Sequence, residues 1–316
     1  MRMALAALAA VVLTAGGTAL AQPAPAAAPS VPPAPAVPAP DFSKVEIKTT
    51  DLGHRTYMLA GLGGNITVAA ADDGVIMVDS EFAPLHDKIK AAVAAVSDQP
   101  IRFVVNTHFH GDHTGGDEAF AKDGAQVVAQ INVRRRLAAG TVNGLTGAKT
   151  PPAATAALPS RSFDTALTIT LKNREAILRH VTAAHTDGDT YVWFPDAKVL
   201  ATGDLVAIGR YPNIDVANGG NIKGMIAAVD ALLKLADADT KVVPGHGPLM
   251  DKAALTDYRA TLVQARDLVA ALITQGKSEE EAVAAKPLAA LDAKVGSTPQ
   301  ASGNFVRLIY RSLKGV

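Results

Sequence analysis

The stretch from Asn106 to Gly116 reads Asn-Thr-His-Phe-His-Gly-Asp-His-Thr-Gly-Gly. It places His108, His110, Asp112 and His113 within six residues of a chain that has only 8 histidines. Imidazole nitrogens and carboxylate oxygens are the donors that zinc takes. The donors stand at i, i+2, i+4 and i+5, which is not the paired i, i+4 histidine spacing of a helical zinc site. An irregular loop suits them better. The apolar run Arg102-Phe103-Val104-Val105 just before them reads as a strand. The donors therefore lie past the end of a strand, where α/β sheets carry their sites. A solvated surface loop would give unpaired imidazoles no reason to cluster.

Three further donors stand in equivalent places. His185 follows a strand ending at Val181, Asp204 follows one ending at Thr202, and His246 follows Val242-Val243. The set is then His108, His110, Asp112, His113, His185, Asp204 and His246. Seven donors suit two ions, each with three ligands of its own and one carboxylate shared between them. A shared carboxylate sets such ions about 3.5–4 Å apart and leaves positions for water.

This order, a His-x-His-x-Asp-His loop, a single His, an Asp after a strand and a Gly-His, resembles the metallo-β-lactamase superfamily over roughly Val45 to Thr261. The resemblance implies an α/β fold, an αββα sandwich with two mixed sheets between helix layers and the site along one edge. It implies that His108, His110 and His185 hold one metal and that Asp112, His113 and His246 hold a second. Asp204 would bridge them, and Asp79 would orient a ligand from behind. His54, His86 and His180 match nothing in the pattern. The second half, with Tyr191-Val192-Trp193-Phe194-Pro195 and Val242-Val243-Pro244-Gly245-His246-Gly247, is most similar to the secreted lactamase branch. Two departures separate it from that branch. Asp204 stands where the branch has cysteine, and Ala207 where it has a lysine that clamps the substrate carboxylate. Arg210 lies one helical turn further along. Aspartate at the bridge is the choice of thioesterase, lactonase and phosphodiesterase branches.

The elements that must position these donors can be read from periodicity. Val45 to Leu59, Ile66 to Ala70 and Gly74 to Val78 are strand-like. Leu85, Ile89, Ala92, Val93 and Val96 mark an amphipathic helix. Gly61-Leu62-Gly63-Gly64-Asn65 closes a hairpin, with a position from which it could fold over a site. Residues 117–139 read as helix, strand and helix, and the basic run Arg134-Arg135-Arg136 falls on a solvated helix face. Residues 140–162, rich in Gly and Pro, form a long loop. Strands recur over 166–171, 175–181, 191–194 and 198–202. An apolar stripe from Ile226 to Leu235 makes a helix, and residues 251–275 and 278–285 make two more. Alternating strands and helices are those of an α/β sandwich.

The ends and the composition bound the rest. Met1-Arg2-Met3, the short apolar run Ala4 to Leu13 and Ala19-Leu20-Ala21 have the form of a secretory signal peptide over 1–21. A membrane anchor would need about 18–20 continuous apolar residues. Residues 22–40, almost all Ala and Pro, read as a semi-rigid linker. Residues 41–316 then make one hydrolase domain with C-terminal helices, expected in the periplasm or outside the cell. The chain has 0 cysteines. Its 30 basic and 30 acidic residues leave no net field to favour nucleic acid or an anionic membrane. The expected partner is a small-molecule substrate.

Two zinc ions are the expected cofactor, and the ligand types also admit iron or manganese. Hydroxide on a metal, available near neutral pH, would attack an ester, lactone, thioester or β-lactam carbonyl, with Asp112 steering the proton. The rivals are a lactamase proper, a phosphodiesterase, an iron-dependent redox enzyme and a non-catalytic metal-binding protein.

Overall fold

Val75, Met77, Ile76 and Val78 alternate along one strand, and the two pairs go into different cores. That alternation is the period of a β-strand covered on both faces. In the computed structural model, which describes residues 40–316, this strand is β4 (Val75–Val78). The expected leader 1–21 lies outside the described residues, as does all but the last residue of the linker. Asp41–Val316 forms one unit.

The first sheet contains β1 (Lys48–Gly53), β2 (Thr56–Ala60), β3 (Ile66–Ala70), β4, β5 (Ile101–Val105), β6 (Gln126–Gln130) and β9 (Arg161–Phe163), side by side in that order. The first four strands pair antiparallel, and β4, β5, β6 and β9 pair parallel. The second sheet runs β10 (Ala166–Leu171), β11 (Arg174–His180), β12 (Thr190–Phe194), β13 (Val199–Ala201) and β14 (Lys241–Val243). Only β13 and β14 pair parallel there, joined through a helix as a parallel pair requires.

Three cores stack the layers. Leu85 just before α1 (His86–Ala94), Ile89 and Val93 within it, and Phe120 of α3 (Asp117–Lys122) cover one face of the first sheet. Ile76, Val78 and Val105 meet Leu178, Val192, Phe194 and Val243 between the sheets. Leu200 and Val242 face α5 (Ile222–Leu235), α6 (Lys252–Thr274) and α9 (Pro299–Lys314) on the far side. The layer order is the αββα sandwich.

Several local readings change. Asp112 and His113 lie not on irregular chain but on a one-turn helix, α2 (Gly111–Thr114), with His110 as the residue before it. The 140–162 segment is not one long loop. It holds a ribbon of β7 (Thr141–Val142) and β8 (Lys149–Thr150), and it ends in the edge strand β9. Beyond α6 and α7 (Glu279–Ala284) come α8 (Ala289–Val295) and α9. Thr298 caps α9, Pro299 opens it and Gly315 ends it in the left-handed region, a sequence-local start and stop. Among the described residues, no helix is long and apolar enough to cross a membrane.

Candidate metal centre

Each donor is delivered from the end of a strand. β5 runs into His108 and His110, and α2 then presents Asp112 and His113. His185 follows β11 on a loop whose His185 and Thr186 N–H groups donate to Asp189 Oδ2, at 2.6 and 2.9 Å. β13 turns into the Gly203–Leu205 3-10 turn that carries Asp204, and β14 leads to His246. Because β4 and β5 are parallel neighbours, as are β13 and β14, these ends lie together at one edge of the sandwich.

The seven side chains converge there. His108, His110 and His185 form one group, Asp112, His113 and His246 another, and His108, His113 and Asp204 a third; within each, the ligand-type atoms lie within 4.8 Å of one another. Asp204 faces two ways. Its Oδ1 is 3.3 Å from both His113 Nε2 and His246 Nε2, and its Oδ2 is 3.8 Å from His185 Nε2. His54, His86 and His180 lie outside these groups.

The hydrogen bonds behind the rings decide which nitrogens are left to hold a cation. His113 Nδ1 donates to Asp79 Oδ2 (2.8 Å), and His110 Nε2 donates to Asp215 Oδ2 (2.9 Å). His185 Nδ1 donates to the Asn213 carbonyl (2.8 Å). His108 Nδ1 donates to Thr107 Oγ1, whose own proton goes to Asp79. Acceptors behind the rings fix the tautomers, so the nitrogens facing inward carry lone pairs in the neutral rings. His110 Nδ1 and His185 Nε2 face each other at 2.9 Å, and His113 Nε2 and His246 Nε2 at 3.3 Å. His108 Nε2 and Asp204 Oδ1 are buried without a hydrogen-bond partner among the described residues. Converging lone pairs and carboxylates repel unless a cation lies among them, and the donor set fits one.

Electrostatics separates the two sides. Burial, with the neighbouring imidazoles, lowers His108 well below the usual histidine range and takes His185 down to about 4. Burial also opposes a proton on His113, but Asp79 and Asp204 outweigh it and raise that histidine well above its ordinary value. At neutral pH a cation meets free nitrogens on His108 and His185 and competes with a proton at His113.

The backing residues were only partly legible. Asp79, the orienting group the resemblance implies, is 1% exposed, in the left-handed region (φ 65°), and takes protons from the Thr107 amide and hydroxyl as well as from His113. Asp215 and the Asn213 carbonyl were missed, since nothing local marks a contact across 105 residues of chain. Glu81 was missed too. It is fully buried, at φ 51°, and its Oε2 accepts the Leu62 and Gly63 amides at 3.2 and 2.9 Å. The Gly61–Asn65 turn does join the antiparallel β2 and β3. It also lies on the site: the Gly64 N–H donates to the Asp112 carbonyl, and a Cβ at Gly64 would stand 2.2 Å from His113 Cε1. Arg136 does not lie on a solvated face. Its guanidinium binds the Asp187 carboxylate (2.7 Å) and Asn218 Oδ1 (3.2 Å), tying α4 (Ile131–Ala139) to the His185 loop.

Ala207 is buried and pairs with His246 through a β-bridge, so no charge issues from that position. Arg210, with half its side chain exposed, brings Nη2 to 4.0 Å from Asp204 Oδ2.

Comparison with known proteins agrees with this architecture. Residues 59–273 match the family model described as the metallo-beta-lactamase superfamily. The chain is 25% identical over 212 residues to a linear primary-alkylsulfatase of Pseudomonas sp. (strain ATCC 19151), covering 56% of this chain and 40% of that protein. It is 23% identical over 207 residues to a metallo-beta-lactamase type 2 of Bacillus sp. (strain 170), covering 65% of this chain and 74% of the relative. It thus spans less than half the length of the alkylsulfatase. Among solved structures, a metallo-beta-lactamase from Pontibacter korlensis superposes with a TM-score of 0.56 at 21% identity, over 69% of this chain and 99% of the other. The sec-alkylsulfatase Pisa1 from Pseudomonas sp. superposes with a TM-score of 0.61 at 19% identity, over 84% of this chain and 50% of that one. With the layer order, the convergent His and Asp groups and a family match spanning β2 to α6, the chain belongs to the metallo-beta-lactamase superfamily.

Proposed function

We propose that this chain is an exported hydrolase with two zinc ions that cleaves a carbonyl substrate: an ester, lactone, thioester or β-lactam amide. His108, His110 and His185 would hold one ion, Asp112, His113 and His246 the other, and Asp204 would bridge them. The observation that carries this reading is Asp204, whose two oxygens face opposite groups. Bound zinc would supply Lewis acidity and a water whose pKa falls to about 7.

The chain's own groups do the rest. Burial works against a charge on Asp112, but the hydrogen bond from His246 and the charge of His113 outweigh it and hold its carboxyl below the usual range. It is therefore ionised at neutral pH, as a metal ligand must be, and its free oxygen would steer the proton of the attacking water. The Glu81 carboxylate fixes the 61–64 turn, so the half-exposed Leu62 at its tip meets substrate without a prior ordering cost. A lysine clamp is absent at Ala207. A lost charge-assisted hydrogen bond costs about 1.5–3 kcal/mol, roughly tenfold to a hundredfold in capture. This favours uncharged esters and lactones over penicillins. A second reading, cleavage of an alkyl sulfate ester, is supported by the likeness to the Pseudomonas linear primary-alkylsulfatase and by the unclamped Arg210 guanidinium near Asp204.

The test is one zinc-loaded sample assayed against chromogenic β-lactam, ester, lactone, thioester, phosphodiester and sulfate-ester substrates, with metal content measured after purification without added metal. Turnover of esters or lactones well above penicillins is the expected result. Efficient penicillin hydrolysis with no esterase or lactonase activity would return the chain to the lactamases proper. Co-purified iron with redox activity would refute the zinc assignment.

A further inference from the structure

A cavity of about 320 Å³ borders the donor loop, and His110 and Gly111 are part of its wall. The side chain of His110 is 24% exposed, so the cavity reaches the surface of the centre itself. Gly111 stands between two donors, His110 and Asp112. A Cβ on it would meet nothing within 4 Å, so there is free space beside the chain at that point.

The rest of the wall comes from α4 and the ribbon after it. Gly140 ends α4 at φ 77°, and a Cβ there would stand 2.6 Å from the Thr150 carbonyl oxygen. That close approach lets β8 return along β7 and brings Pro151, Pro152 and Ala153 back to Leu137. The Ala153 N–H donates to the Leu137 carbonyl at 2.8 Å. Two consecutive prolines fix φ, so this wall is set before anything binds. Leu137 packs in turn on the cluster of Phe109, Ala129 and Val133. The polar groups of the wall are already matched. The Arg136 guanidinium is taken by Asp187 and Asn218, and the Thr114 hydroxyl donates to the His110 carbonyl at 3.1 Å. No lining residue has a buried side-chain polar atom without a partner among the described residues.

We propose that the cavity between the donor loop, α4 and the 150–153 segment takes the non-reacting arm of the substrate, and that this arm is apolar and uncharged. This rests on the hydrolase reading above and narrows it to substrates whose reacting group carries such an arm. An apolar wall with its polar atoms matched gains from each buried methylene. It penalises a charge, which would lose its hydration with nothing to replace it. Small-molecule pockets run from about 300 to 1,000 Å³. A cavity at the low end of that range holds an arm and leaves the reacting group outside it, at the donors.

The test titrates straight-chain hydroxamic acids, from acetohydroxamic to octanohydroxamic acid, into the zinc-loaded protein by calorimetry. The hydroxamate head binds metal, and the tail reports the space beside the centre. Affinity should rise about fourfold for each methylene buried, the equivalent of about 0.8 kcal/mol, and level off once the cavity is full. A tail that ends in a carboxylate should bind no better than acetohydroxamic acid. Ala153→Phe, which fills the cavity from a partly exposed position, should flatten the series beyond its shortest members. Leu137→Ala should extend the rise to longer tails. Each comparison is a ratio between tails in one variant, so a uniform loss of stability or of metal cancels. The para-nitrophenyl esters of the same acids should give a parallel series in kcat/KM. A flat series in the wild type, or a rise unchanged in both variants, overturns the pocket. So does a series that Leu62→Ala flattens and Ala153→Phe does not, which would put the arm under the 61–64 turn. If the hydroxamates show the rise and its dependence on Ala153 while no ester is cleaved, the pocket stands and the hydrolase reading fails.

Discussion

Asp215→Ala tests whether the ring behind the cluster sets the cluster. His110 donates from Nε2 to Asp215 Oδ2 at 2.9 Å, which turns Nδ1 inward toward His185. Burial opposes ionisation of Asp215, yet hydrogen bonds from His110 and Asn218 outweigh it and hold its carboxyl below the usual range. The acceptor is thus an anion at neutral pH, and it fixes both tautomer and orientation. Removing such a backing carboxylate costs about tenfold to a hundredfold in metal affinity, or roughly 1.4–2.8 kcal/mol. The loss should fall on one ion only. Asp215 touches no member of the Asp112, His113 and His246 group, whose backing comes from Asp79. Asn218 keeps its bond to the Val142 carbonyl and the Asp215 backbone keeps its bond to His185, so the local chain should hold. Zinc affinity is measured by chelator competition, with His185→Ala and His246→Ala assigning the two steps. Asp215→Asn, which still offers an acceptor, should recover most of the loss. Two unchanged affinities in Asp215→Ala, or a loss confined to the step assigned by His246→Ala, would refute the reasoning.

Asp204→Ala should remove the shared carboxylate, weaken the ion at Asp112, His113 and His246, and abolish most activity; a variant with two tightly held ions and full activity would show that Asp204 is no bridge. Gly64→Ala should destabilise by about 1–3 kcal/mol, as overpacking does, and lower activity, because its Cβ would stand 2.2 Å from His113 Cε1; urea unfolding that matches wild type would mean the turn moves freely. Burial pushes the Asp117 carboxyl up from 3.8 to about 8. An acid raised in this way stabilises the fold while protonated, so its contribution is complete below about 4 and is lost as pH rises through about 8. The isosteric Asp117→Asn should lose that part of the pH dependence, and urea midpoints that change with pH as in wild type would contradict it. Export predicts Gln22 as the first residue of the mature protein from its native host; N-terminal sequencing that finds Met1 would count against it.

By itself the sequence determined which donors exist, their order, and the layers that carry them. Metal-ligand chemistry restricts the residue types, and short apolar runs and the 3.6-residue period are local, so His108 to His113, the strands β3 and β4 and the stripe of α1 could be read directly. What only the tertiary structure decided is what stands behind and beside those donors. Asp215 behind His110, Glu81 beneath the 62–63 amides and Arg136 on Asp187 are contacts between residues 105, 18 and 51 positions apart. An aspartate after a strand or an arginine in a basic run looks the same in sequence whether it faces water or a partner. The outcome depends on which strand ends the parallel pairs β4–β5 and β13–β14 bring to one edge.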